Sequence, residues 1–326
     1  MLCDDWRPTA PIENIRLRAE LLAKTRQFFA ARDVLEVETP LLSVATVSDP
    51  HLQSFVTCYN GPGLPPDTPL YLQTSPEAAM KRLLAAGSGS IYQICKAFRD
   101  GEYGARHNPE FTMLEWYRID FDHFALMDEV EALVQILLGF ECEFERITYQ
   151  ALFESYLGLD PHRASLDDLI CCANDVEGGI SPSEIEIGRD GWLDLLMSHL
   201  IEPHLGQTVP VFIYDYPASQ AALAKIRPGE IALSERFELY ITGVELANGY
   251  HELRDGDEFL RRFERDALQR KREGYFIPEV NHRLSAALKA GLPASAGVAL
   301  GFDRLLMVAA GCESMSNVGN FTVANA

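Results

Sequence analysis

The segment 91–117, IYQICKAFRDGEYGARHNPEFTMLEWY, constrains the fold more than any other part of the chain. Residues 91–99 and 111–117 are rich in β-branched and aromatic side chains and read as strands. Between them Gly101 and Gly104 permit backbone angles that other residues resist, and Pro109 cannot donate to a ladder. The segment therefore predicts an antiparallel hairpin with a charged tip. A period of two puts Gln93, Cys95, Ala97 and Arg99 on one face of the first strand, and Phe111, Met113, Glu115 and Tyr117 on one face of the second. The opposite faces, Tyr92, Ile94 and Phe98 with Leu114 and Trp116, are greasier. A face carrying Arg99 and Glu115 is costly to bury unless the two pair with each other or meet a charged ligand. Both readings stand at this point.

The run FR, loop, RHNPEFTMLEWY resembles motif 2 of the class II aminoacyl-tRNA synthetases in its lysyl version. The resemblance implies that Arg99 grips the α-phosphate of ATP and the amino-acid carboxylate, a task suited to a guanidinium fork. It implies Arg106, His107 and Asn108 at the ATP, and Phe111 under the adenine. Gly101 stands where the family carries Glu, so Glu102, which follows it, is expected to take over that contact.

With 326 residues and 47% hydrophobic content, the chain is long enough for one large core, and we read it as one domain over 1–326. No apolar run approaches a membrane span, and the first residues carry acids and no h-region, so the cytosol is the expected compartment. Seven cysteines without a CxxC pair fit neither a disulfide framework nor a zinc site, and eight histidines lack HExxH spacing. A net charge of −20 argues against broad binding of nucleic acid, so no stable nucleic-acid complex is expected.

Residues 15–31 predict an amphipathic helix and 34–39 a short strand. The pair resembles motif 1 of the same family, which implies a homodimer. Because that motif comes early, no anticodon-binding barrel is expected before it. Residues 54–69 read as a turn-rich connection. Residues 70–73 read as a strand and TSPEAAMKRLLAAG as a helix with Ser75 as N-cap, Pro76 at its first position and Glu77 just inside. Glu77 is read as an acid favoured by the helix dipole; the resemblance adds that Glu77 and Glu115 face the substrate amino group, in a subsite with Ser75 and Tyr117. Residues 124–138 predict another amphipathic helix, and roughly 142–207 a helical insertion in which Asp190, Asp194 and His199 read as solvated.

The stretch 235–253, ERFELYITGVELANGYHEL, is a second block of chemistry. With Thr242 and Gly243 as a two-residue turn, Tyr240 pairs with Glu245, leaving Glu238 and Glu245 on one face. Two such carboxylates repel unless a cation sits between them, and Mg²⁺ with phosphate oxygens answers that need. Asn248, Tyr250 and Glu252 have the other parity, so a bulge near Ala247 or Gly249 is expected to bring all five residues to one pocket. An amide, an aromatic ring and a carboxylate suit a primary ammonium. The resemblance assigns them to the lysine ε-ammonium.

Residues 256–274 and 281–290 predict helices, and PASAGVALGFDRLLMVAAG predicts a Gly-rich strand running into a helix. This last run resembles motif 3, which implies Arg304 on the γ-phosphate and Gly301 in the amino-acid subsite. Ala299 stands where lysyl-tRNA synthetases carry Gly, as in their paralogues that modify elongation factor P. One methyl can move selectivity by about 1–3 kcal/mol. The resemblance thus implies an α+β fold, a mainly antiparallel sheet flanked by helices. It also implies ATP and Mg²⁺, catalysis by Arg99 and Arg304, and (R)-β-lysine or lysine passed to a lysine ε-amine of elongation factor P. A tRNA-charging enzyme, a small-molecule synthetase and an inactive binding core are the alternatives.

Overall fold

The computed structural model describes residues 6–174 and 187–326, so residues 175–186 of the expected insertion lie outside it. Its strands are β1 Leu35–Glu36, β2 Leu42–Ser43, β3 Val56–Tyr59, β4 Thr68–Leu72, β5 Ile91–Phe98, β6 Glu110–Ile119, β7 Glu145–Thr148, β8 Val211–Pro217, β9 Ile226–Arg227, β10 Leu233–Ile241, β11 Val244–His251 and β12 Ser295–Gly301. Its α-helices are α1 Ile12–Ala30, α2 Glu77–Ala85, α3 His123–Leu138, α4 Tyr149–Leu157, α5 Leu166–Asn174, α6 Arg189–Leu196, α7 Gly256–Arg272, α8 His282–Gly291 and α9 Phe302–Ala310. The main sheet runs β1-β5-β6-β12-β11-β10-β8-β7, with β9 paired to β10, and a small sheet runs β2-β4-β3. Only the edge pairs β1 with β5 and β7 with β8 are parallel in the main sheet. The expected α+β architecture is present.

The β5–β6 hairpin forms, with Gln93 opposite Glu115, Cys95 opposite Met113 and Ala97 opposite Phe111, so the two expected faces coincide. Its greasy face buries Tyr92, Leu114 and Trp116 against α1, α3 and α9. On α3, Leu126, Met127, Val130, Leu133, Val134 and Leu137 recur at helical spacing and are all buried. The Asp122 carboxylate caps its first turn, accepting from the Ala125 N–H at 2.9 Å, and left-handed Gly139 ends it. Helices thus cover one face of the sheet and leave the other to line a cavity.

Several boundaries depart from the sequence reading. The strand expected at 34–39 shrinks to Leu35–Glu36, because at the sheet edge only β5 supports it. Helix α2 begins at Glu77 with Pro76 as N-cap; Ser75 still accepts from the Glu77 N–H at 3.0 Å. The stretch read as helical insertion opens with β7, whose pairing to β8 extends the sheet before α4 begins. Beyond α6 the chain tightens into a π turn, Met197–Ile201, and a 3₁₀ turn, Glu202–His204. Pro203 lacks the N–H that a continuing α-helix needs.

Candidate active site

The open face of the sheet floors a cavity of about 2130 Å³, and every site residue singled out from the sequence lines it. The β10–β11 hairpin explains how residues of opposite parity meet. Thr242 and Gly243, both at positive φ, make the two-residue turn, and Tyr240 pairs with Glu245 as expected. Leu239 then pairs with Ala247, leaving Leu246 as the extra residue. The bulge thus falls one residue before the expected position, and it turns Glu245 to the same face as Asn248, Tyr250 and Glu252.

Glu115 does not pair with Arg99, so the internal ion pair is excluded. The Glu115 carboxylate accepts from Ser75 Oγ at 2.8 Å and from the Tyr117 hydroxyl at 2.7 Å. Burial and the nearby Glu77 charge nevertheless push Glu115 up to about 8. Arg99 instead reaches Glu102 at 3.5 Å, and its guanidinium carbon lies 5.1 Å from the centre of the Phe111 ring. Glu102 makes this contact because Gly101, at φ 82°, turns the chain there. The Arg99 Nε is buried without a hydrogen-bond partner among the described residues, a donor available to an anion.

At the other end of the cavity, Arg304 donates to His107 Nε2 at 2.7 Å and to the Glu245 carbonyl at 2.9 Å. Desolvation and the Arg304 charge keep His107 below the usual imidazole range, so it is neutral at pH 7 and Nε2 can accept. Arg106 ties the motif 2 loop to the β10–β11 turn through the Gly243 carbonyl, at 2.8 Å. Asn108 braces the same loop, donating to the Glu110 carbonyl at 2.6 Å and accepting from the Val323 N–H at 3.3 Å.

The two carboxylates expected to hold Mg²⁺ differ in their surroundings. Glu238 accepts from Tyr216 at 2.6 Å, Tyr240 at 2.7 Å, Asn248 at 3.2 Å, and Arg236. Among the described residues Glu245 has only Arg304, at 3.4 Å, and it is pushed up by desolvation and by Glu238. Glu202, which the sequence reading passed over, is pushed up to about 7 by burial and by the charges of Glu238 and Glu245. Oxygen donors that repel one another fit a hard divalent cation. Its place in the 3₁₀ turn gave Glu202 no periodic signal.

Two further residues escaped the sequence reading. The Lys81 ammonium, 2.5 Å from both Glu77 and Glu252, is buried and does not line the cavity. Gly297 lies between Tyr250 and Tyr117 in the sheet, and a Cβ there would sit 2.3 Å from the Tyr117 ring and 2.5 Å from Glu252 Oε1. Only glycine admits both side chains. Ala299, two residues on, pairs with Asn248 and Glu115 and turns its methyl to the cavity. Asp190, Asp194 and His199 line the far wall, where Ser219 and Gln220 bond the two acids at 2.7 Å each.

Behind the sheet, donor atoms of His123, Glu235 and His251 lie within 4.8 Å of one another, a cluster that sequence spacing did not announce. Lys225 at 3.2 Å and Arg227 at 3.8 Å already compensate Glu235, which leaves little field to attract a cation.

Residues 4–325 match the family model of the class II tRNA synthetases (D, K and N). The chain belongs to that family. Among curated proteins it is similar to elongation factor P–(R)-β-lysine ligase of Vibrio vulnificus (strain YJ016), 52% identical over 319 residues that cover 97% of this chain and 98% of that protein. The ligase of the same name from Vibrio cholerae is 52% identical over 323 residues, covering 98% of each chain. That of Pasteurella multocida (strain Pm70) is 47% identical over 324 residues, covering 99% of each. Membership of a class II synthetase family implies ATP use.

Proposed function

We propose that this class II synthetase-family protein is an AMP-forming ligase that activates (R)-β-lysine and transfers it to a lysine ε-amine of elongation factor P. The observation that carries the reading is the charge pattern of one cavity. Three carboxylates, Glu77, Glu115 and Glu252, gather at the amino-acid end, and Arg99 and Arg304 stand at the phosphate end. A diamino acid needs that pattern: anions for its ammonium groups and a guanidinium for its carboxylate. The similarity to ligases of that printed name over almost the whole chain supports the substrate and the acceptor.

In the first step the substrate carboxylate attacks the α-phosphate of ATP, forming the aminoacyl-adenylate and releasing pyrophosphate. Arg99 orients carboxylate and phosphate together, Phe111 stacks with the adenine, and Arg304, positioned by His107 and the Glu245 carbonyl, takes charge on the γ-phosphate. Mg²⁺ held by Glu238 and Glu245 would supply phosphate charge neutralisation. In the second step the acceptor amine attacks the adenylate carbonyl and AMP leaves. The protein acts as a homodimer in the cytoplasm, joined through the motif 1 segment. The exposed side chains of Leu35, Leu41 and Leu42 on that segment support the interface.

ATP–pyrophosphate exchange with (R)-β-lysine and with α-lysine, followed by mass analysis of elongation factor P, tests this reading. Exchange favouring (R)-β-lysine, with the matching mass gain, is expected. Exchange with α-lysine alone would return the chain to tRNA-charging chemistry, and no exchange with either would make it a binding core.

A further inference from the structure

The Lys81 side chain, 1% exposed, lies below the floor of the amino-acid subsite and does not line the cavity. Its ammonium is 2.5 Å from Glu77 Oε1, one helical turn earlier on α2, and 2.5 Å from Glu252 Oε2, at the end of β11. One cation therefore bridges the carboxylates assigned to the two ends of a bound diamino acid. Met80 and Leu84 of α2, on either side of Lys81 in the chain, are buried in one apolar cluster with Phe259 of α7 and Leu284 and Leu288 of α8. The charged or titratable groups facing Lys81 are Glu77, Glu252, Glu115 and Tyr117.

We propose that Lys81 is a positioning and specificity residue. It holds the Glu77 and Glu252 carboxylates at fixed separation and, once the bound substrate has ionised Glu115, leaves the three acids with a net charge of −2, matching a substrate with two ammonium groups. The inference rests on the ammonium reading of this pocket. Without Lys81, the buried Glu252 would face the half-buried Glu77 and the buried Glu115 with no cation, and the cheapest relief would be to take up a proton. A substrate ammonium would then have to displace a proton from Glu252 before pairing with it. The environment agrees: burial opposes the Lys81 charge, but Glu252 and Glu77 outweigh it and hold Lys81 above the ordinary lysine range. Glu252 is raised by its burial even with Lys81 beside it.

The test is calorimetric binding of (R)-β-lysine at pH 7 in buffers of different ionisation enthalpy, which counts protons released, on the native protein and Lys81→Met. The variant is expected to bind the diamino acid at least tenfold more weakly, with ATP affinity unchanged. It should release about one more proton per substrate bound, so its affinity should recover as pH rises from 6.5 to 8.5. A merely structural role would weaken binding without changing the proton count, and that result overturns the proposal. Lys81→Met/Glu252→Gln, which leaves no additional unpaired buried acid, guards against failure to fold and should restore the native proton count. Carboxyl carbon NMR of the free proteins tests the claim without any substrate. Glu252 should titrate at least one pH unit higher in Lys81→Met, and an unchanged titration refutes the inference even if the native protein binds no diamino acid and the ligase reading itself fails.

Discussion

Glu115 shows how a single side chain can be favoured and penalised at the same site. Ser75 and Tyr117 hydrogen-bond its carboxylate, while burial and Glu77 push it up to about 8. Between the ordinary carboxyl range and pH 8 the folded protein therefore keeps a proton that the unfolded chain has released. By linkage, stability falls as pH rises through that window. Glu115→Gln removes the titration, so without substrate the variant should melt higher than the native protein at pH 8, by on the order of 2–4 °C, with no gain at pH 4. Thermal unfolding from pH 4 to 8.5 measures this. Equal slopes for the two proteins would show that Glu115 titrates normally. The same variant should bind the diamino acid more weakly, since an amide cannot neutralise an ammonium.

At the scale of elements, the register of three strands decides which small residues line the cavity. β12 runs between β11 and β6, so Ala299 falls between Asn248 and Glu115, and Gly297 between Tyr250 and Tyr117. The first contributes a methyl to the cavity where the amino group is expected, and the second cannot contribute one without striking Tyr117. Ala299→Gly should therefore shift the ratio of pyrophosphate exchange toward α-lysine by about 10- to 100-fold, as one methyl is worth about 1–3 kcal/mol. Parallel exchange assays with both amino acids read the ratio, and an unchanged ratio removes Ala299 from the selectivity argument. The Leu246 bulge works at the same scale. Without it, Asn248, Tyr250 and Glu252 would lie on the face opposite Glu245, because each residue of register reverses a strand.

For the whole molecule, the helices on one face of the sheet supply the core and free the other face for chemistry. The short β1 stands at the sheet edge, and Leu35 is 55% exposed on it. A homodimer through this segment predicts sedimentation at twice the 36.4 kDa chain mass. Leu35→Glu should lower that to the single-chain value, because a charge cannot be buried unpaired at an apolar interface. Sedimentation velocity decides, and a native protein that sediments as one chain rejects the dimer. No helix of the described residues is long and apolar enough to cross a membrane.

The sequence by itself determined the elements whose signals are local. Period-two alternation placed Arg99, Glu115 and Tyr117 on one face, the Thr242–Gly243 turn set the pairing of Tyr240 with Glu245, and residue-level motifs pointed to the family. Only the tertiary structure decided which charges meet across elements. Glu115 turned from Arg99 to Ser75 and Tyr117, Lys81 of α2 came to bridge Glu77 and Glu252, the latter just past β11, and Glu202 joined Glu238 and Glu245 from an irregular turn. Buried lysines are uncommon, so a polar-face reading of Lys81 follows from its type, and only packing reverses it. Periodicity reports which face a side chain takes, whereas its partner depends on distances set by distant strands and helices.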